Sequence, residues 1–196
     1  MLIEESNLTF NFNNQTQAIK FDDTDFYRKS FNKMPSSKGV DILANSKDVI
    51  QLIEIKNCSG HEIENMWRTS INNSNIKAAP HGLDVEDRDS LDIEMVKKVV
   101  YTITCLYGAW TKSERGGSAT ELTDYWQGAT EQKIKTDKKQ LLITLFLEGN
   151  FSTKSRNKKA IMHRLQESIN TKLSWLNCKV MVVDSDTYKG KYFRVS

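Results

Sequence analysis

The sequence predicts a mixed α/β fold, a central mixed β-sheet flanked by helices, in one domain spanning residues 1–196. Three observations carry this. Val49–Lys56 (VIQLIEIK) and Leu141–Leu147 (LLITLFL) are short, almost wholly apolar and β-branched, the pattern of strands covered on both faces. Leu91, Met95, Val99, Ile103, Leu106 and Trp110 recur at helical spacing. Strand and helix patterns alternate along the chain, so the two kinds of element must share one core.

The elements follow in order. Leu8, Phe10 and Phe12 alternate with polar residues, a half-buried strand; Asn13-Asn14 marks a turn, and 18–21 (AIKF) returns as a second short strand. Residues 25–34 read as a short helix with Asp25 near its start, ended by Pro35. Gly39–Ala44 (GVDILA) is a short apolar strand holding one acid, and Asn45–Asp48 is a hairpin turn into Val49–Lys56. Ser59-Gly60-His61-Glu62 fits a capping box, which predicts a helix of about three turns through Ile63, Met66 and Trp67. Residues 72–86 are Asn-rich with Pro80 and Gly82, a loop. The 91–110 helix carries acids in its first turn, where the helix dipole favours them. Gly116-Gly117 ends it, and Ser118 with Glu121 forms a second capping box before Leu122, Tyr125, Trp126 and Ala129. After Leu141–Leu147 a basic loop, STKSRNKK, leads into a helix striped by Ile161, Leu165, Ile169 and Leu173. Lys179–Asp184 is a further strand and Tyr188–Val195 an edge strand.

Composition narrows the function classes. With 38% hydrophobic and 27% charged residues the chain is neither disordered nor membrane-like. No apolar run approaches the ~20 residues that span a bilayer. The opening MLIEESNLTF has acids where a signal peptide carries a basic segment, so a soluble cytoplasmic protein is expected. Cys58, Cys105 and Cys178 lie far apart, without a C-x-x-C pair, which predicts reduced thiols rather than a disulfide framework or zinc knuckle. His61, His81 and His163 have no metal-ligand spacing, and the four tryptophans fall on or near helical apolar stripes, as core residues do. The net charge of +3 is uneven: residues 1–110 hold 12 Lys/Arg against 16 Asp/Glu, and 111–196 hold 16 against 9. An acidic half beside a basic half suits a metal site next to a phosphate-binding surface, as it also suits two solvated faces.

One constellation carries chemistry. Alternation puts Glu54 and Lys56 on the same face of the VIQLIEIK strand, behind Ile50 and Leu52. A carboxylate and an ammonium thus end an otherwise apolar strand, and burying unpaired charge costs several kcal/mol. An ion pair, a metal or solvent access must compensate. The preceding strand contributes Asp41, and a short hairpin places it near Glu54. Two facing carboxylates repel, and a divalent cation resolves the conflict; Mg²⁺ favours carboxylate and water oxygens.

Asp41, then twelve residues, then Glu54-Ile55-Lys56 resembles the PD-(D/E)xK motif of restriction-endonuclease-like nucleases. The resemblance implies that Asp41 and Glu54 bind Mg²⁺ or Mn²⁺, that the Ile55 carbonyl helps, and that Lys56 is catalytic. The family often adds an acid from its first helix region, for which Asp22 is preferred over Asp23 and Asp25. Its core runs helix, three strands, helix, strand, matched here by 25–34, 39–44, 49–56, 141–147, 158–176 and 179–184. Two departures stand out: Val40 replaces the proline, and 60–140 reads as a long, mostly helical insertion before the third strand. Glu131-Gln132-Lys133 and Asp137-Lys138-Lys139 repeat the local acid–x–lysine pattern without ending an apolar strand.

The resemblance makes the helix after the basic loop a neighbour of the active site. Lys154, Arg156, Lys158 and Lys159 are then candidate phosphate contacts, aided by backbone N–H groups at the helix start; Lys133, Lys135, Lys138 and Lys139 form a second such patch. The expected function is metal-dependent phosphodiester hydrolysis of DNA, less readily RNA, with no membrane partner and, for cutting both strands of a duplex, a homodimer. The competing expectations are a non-cleaving nucleic-acid-binding protein that keeps the fold, and a partner-binding protein built around helix 91–110.

Overall fold

The computed structural model describes residues 1–83, 85, 88–130 and 132–196. Among them the strands form two sheets. The larger is mixed, in the order β3 (Gln17–Lys20), β4 (Ile42–Asn45), β5 (Val49–Asn57), β6 (Gln140–Glu148), β7 (Lys179–Val183). The β3/β4 and β4/β5 pairs are antiparallel; β5/β6 and β6/β7 are parallel. A smaller antiparallel sheet pairs β1 (Leu2–Glu5), β2 (Leu8–Phe12) and β8 (Phe193–Val195).

Alternation along β5 and β6 divides two cores. Ile50, Leu52, Leu141, Ile143, Leu145 and Leu147 face the helices, among them α3 (Leu91–Lys112) and α6 (Lys158–Lys172). Ile53, Ile55 and Phe146 face the small sheet, where Phe10, Phe12 and Phe193 pack. Both faces of β5 and β6 are covered, which is why these strands are apolar without alternation. Fold class is therefore α/β, a five-stranded mixed sheet between a helical layer and a three-stranded sheet.

A parallel pair cannot be closed by a hairpin; it needs a crossover of a dozen or more residues. The stretch 60–140 is that connection between β5 and β6, and α3 is its main helix, packed on α6 and on α4 (Thr123–Thr130). Its described helices pack on the sheet's core face, with Leu91, Met95, Val99, Leu106, Leu122 and Ile134 in the same cluster as Ile50 and Leu52.

Several local expectations are corrected. The three-turn helix after Ser59 is a single turn, α2 (Glu62–Asn65), followed by 3₁₀ turns at Met66–Thr69, Ile71–Asn73 and Ile76–Ala78. Its capping glutamate is engaged elsewhere: Glu62 accepts from the Asn150 N–H, and Ile63 is 82% exposed. The second capping box fails likewise, because Glu121 reaches across to accept from the Phe26 N–H and so caps α1 (Asp25–Lys29), together with Thr24. The first of the two acids in α3's opening turn, Asp92, is fully buried, not displayed to the helix dipole alone. Trp67 is core, but Trp110 and Trp175 are 46% and 62% exposed; Trp110 stacks on Trp126 beside Tyr107, clear of the sheet-facing stripe. The three thiols are free. No helix among the described residues is long and apolar enough to cross a membrane.

Candidate functional site

The β4/β5 register pairs Ile42 with Ile53, so Asp41 lies opposite Glu54. Asp41 sits one residue before β4 and is tied on both sides: its N–H donates to the Ile53 carbonyl at 3.0 Å, and its carbonyl accepts from the Phe21 N–H at 2.8 Å. Gly39 permits this approach, since a Cβ there would lie 2.5 Å from the Phe21 ring. The Asp41 carboxylate accepts from the Ile55 N–H at 2.6 Å, so the hairpin itself aims it.

Glu54 is 1% exposed on the helix-covered face. Two ammonium groups converge on it. Lys56 Nζ lies 2.7 Å from Oε1. Lys98, from the middle of α3, donates to both Oε1 and Oε2, at 2.7 and 2.6 Å, and reaches Asp41 Oδ1 at 3.4 Å. Lys56 is gripped a second time by Glu94 at 2.9 Å, and the other oxygen of Glu94 is held by Arg68. Three carboxylates and three cations thus form one buried network across β4, β5, α3 and the 3₁₀ turn at Met66–Thr69.

The environment separates the acids. Burial, reinforced by the Asp41 charge, pushes Glu54 up to about 7 despite Lys56 and Lys98. Burial also raises Asp41 above its ordinary value, against Lys98 and the Ile55 N–H. Burial acts upward on Glu94 too, but the Lys56 and Arg68 charges outweigh it and hold that carboxyl at about 2. For Lys56, burial opposes the charged form, yet Glu54 and Glu94 carry it above the usual lysine range.

These shifts set an acid-stability window. Glu94, about 2 when folded against an ordinary 4.5, contributes stability that is present above pH 4.5 and lost as pH falls through about 2. The difference corresponds to roughly 3 kcal/mol. Glu54 works in the opposite sense: its contribution is present below pH 4.5 and lost as pH rises through about 7. Urea unfolding at pH 3 and pH 6 should therefore find Glu94→Gln closer to wild type at pH 3 than at pH 6; a gap independent of pH would contradict this assignment.

The predicted set is partly assembled. Asp41, Glu54, Ile55 and Lys56 lie together. Asp22 follows β3 next to the Phe21–Asp41 contact and is exposed; partial desolvation and the Asp23 charge raise its carboxyl, while Lys20 and Lys98 act in the opposite direction. The basic loop leaves β6 at the same end of the sheet as Lys56, since Asn57 pairs with Glu148. Lys154, Arg156 and Lys159 are exposed there. Lys158 differs: it is ion-paired with the buried Asp184 at 2.6 Å. In the second basic patch, Lys135 and Lys138 are exposed and Lys139 is buried, donating to Asn45 Oδ1; the Lys133 side chain lies outside the described residues.

Sequence reasoning missed Lys98, Glu94 and Arg68. A usable signal existed: Glu94 and Lys98 stand i,i+4 beside Met95 and Val99, so a charged pair borders the buried stripe rather than the outer face. A cavity of about 640 Å³ between Asp48, Lys138, Asn177 and Lys191 lies at the opposite end of β5 and is no guide to this site. The buried charges are, because charge removed from water needs a reason.

The described residues contain no group of three His, Cys, Asp or Glu able to hold a metal. The carboxylate pair alone still suits Mg²⁺, which keeps several waters and is bound through one or two carboxylates plus substrate phosphate. Asp41 and Glu54 already share one cation, the Lys98 ammonium, so their oxygens converge on a position that accepts positive charge.

No curated protein and no solved structure matches the chain. A family model matches residues 24–196, which takes in the whole network from Asp41 to Lys98 and leaves Asp22 outside. The chain belongs to DUF6661, a family of unknown function.

Proposed function

We propose that this protein is a divalent-metal-dependent phosphodiesterase of the PD-(D/E)xK type, acting on DNA before RNA. The observation that carries the reading is the convergence of Asp41 and Glu54 on a single cation at the end of a buried strand, with Lys56 on the same face. The element order supports it in part: α1, β4, β5, β6, α6 and β7 come in the helix, three strands, helix, strand sequence of that family, with the crossover helices, α3 the longest, interposed between β5 and β6. The exposed Lys154, Arg156 and Lys159 at the same sheet end supply phosphate contacts that position without reading sequence.

Asp41 and Glu54, with the Ile55 carbonyl, would hold Mg²⁺ or Mn²⁺, which supplies Lewis-acid polarisation of a phosphoryl oxygen and acidifies a bound water. Lys56 faces the scissile phosphate or the attacking water and stabilises developing negative charge. Glu94, itself fixed by Arg68, keeps that ammonium charged and aimed.

A second reading is favoured by one observation: the network is already charge-balanced, three anions against three cations, so it can stand as a structural cluster in a non-cleaving binding protein. Incubating the purified chain with plasmid, single-stranded DNA and RNA in Mg²⁺, Mn²⁺ or EDTA separates the two. Cleavage that needs the metal and disappears in Glu54→Ala and Lys56→Ala is the expected result. Salt-sensitive binding without cleavage under every condition would support the second reading.

A further inference from the structure

We propose that Lys98 is the resident cation of the Asp41–Glu54 pair and competes with the divalent ion for that position, so that removing its ammonium tightens metal binding. This rests on the metal reading above. The geometry is specific: Nζ bonds both oxygens of Glu54, at 2.7 and 2.6 Å, and lies 3.4 Å from Asp41. An ion shared by these carboxylates, at the roughly 2.0–2.1 Å that Mg²⁺ requires, would sit where the ammonium now sits.

Both cannot stay. A divalent ion within a few ångströms of an ammonium, away from bulk water, is strongly repelled. Charge arithmetic agrees. Asp41, Glu54 and Glu94 balance Lys56, Lys98 and Arg68 at zero. Adding a divalent ion makes the cluster +2; exchanging Lys98 for it leaves +1, the charge that one phosphodiester neutralises.

The two lysines are not equivalent in this exchange. Lys56 keeps Glu94 when Glu54 turns to an ion. Lys98 has Glu54 and a long contact to Asp41, the same two groups the ion takes. Its side chain is 12% exposed, so a flexible stem has a way out to solvent.

The test is Mn²⁺ binding to the full chain, read as loss of the free-ion electron paramagnetic resonance signal. Lys98→Met should bind at least about tenfold more tightly than wild type, and Glu54→Gln placed on that background should remove the gain. Lys97→Met, which deletes the same charge one residue away where the side chain pairs with Asp89, should match wild type. Lys98→Gln keeps a donor to Glu54 without the charge and should shift in the same direction if the methionine variant does not fold. Glu54-dependent Mn²⁺ binding that Lys98→Met and Lys98→Gln leave unchanged would overturn the competition while sparing the metal reading. Absence of Glu54-dependent binding in every variant would overturn both.

Discussion

On the proposed phosphodiesterase reading, Glu54→Gln is expected to abolish metal-dependent cleavage while leaving the protein folded. A bound ion contributes several kcal/mol of transition-state stabilisation, and about 4 kcal/mol is a rate factor of about 10³. Glutamine keeps the volume and one acceptor oxygen but loses the charge that would hold the ion. Its folding cost should be smaller than that of truncation, because the remaining oxygen still accepts from Lys56 or Lys98, and each of those ammoniums keeps a second carboxylate, Glu94 or Asp41. Truncation is different. Glu54→Ala strips one partner from two partly buried ammoniums; breaking a fully buried pair costs about 3–5 kcal/mol, and the solvent reach of Lys56 and Lys98 recovers part of that. Measuring cleavage and urea unfolding on both variants separates chemistry from folding. Retention of more than a tenth of wild-type cleavage by Glu54→Gln would remove that side chain from the machinery.

Asp92→Ala is expected to be the most damaging substitution away from the site, destabilising by about 3 kcal/mol or more. Asp92 is fully buried at the start of α3 and gathers three segments. Its oxygens accept from the Asn72 N–H, from Ser90 and Ser168 hydroxyls, and from Lys172 at 2.8 Å. Asn72 adopts a φ of 59°, a left-handed conformation asparagine tolerates, and so delivers its N–H to the carboxylate. Burial pushes Asp92 up, but Lys172 and the hydroxyl donors hold it below its ordinary value. Alanine would orphan all of these donors at once, although Lys172, 27% exposed, recovers part of its hydration. The urea midpoint should fall without a change in slope. A loss below about 1 kcal/mol would mean that α3 and α6 are joined by apolar packing alone.

That residue also marks where sequence reading stops. Asp92 and Glu94 in the first turn of α3 look like ordinary dipole partners, and the pattern cannot tell a solvated acid from one buried against another helix. The strands β5 and β6 and the stripes of α3 and α6 were legible because their periodicity is local. So was the Asp41, Glu54, Lys56 set, since a hairpin converts sequence spacing into proximity. Lys98, Glu94 and Arg68 reach the site through the crossover between parallel strands, and that docking is set by tertiary packing. Glu62 and Glu121 fit capping boxes in sequence, yet each accepts from a distant backbone N–H, Glu62 from Asn150 in the loop after β6 and Glu121 from Phe26 at the start of α1. In the small sheet, Phe10 and Phe12 announced β2, and the edge strand read at Tyr188–Val195 is confined to Phe193–Val195, β8, secured by ring packing of Phe193; LIEE in β1 lacks alternation and gave no signal.

The most direct measurement is a crystal structure of wild type and Lys98→Met soaked in Mn²⁺, with anomalous scattering used to locate the ion. An anomalous peak is expected between Asp41 and Glu54, within roughly 2.0–2.3 Å of a carboxylate oxygen of each, with Lys56 still paired to Glu94. Density between those carboxylates that carries no anomalous signal in either protein, at millimolar Mn²⁺, would contradict the account and leave the cluster as a self-contained ion network.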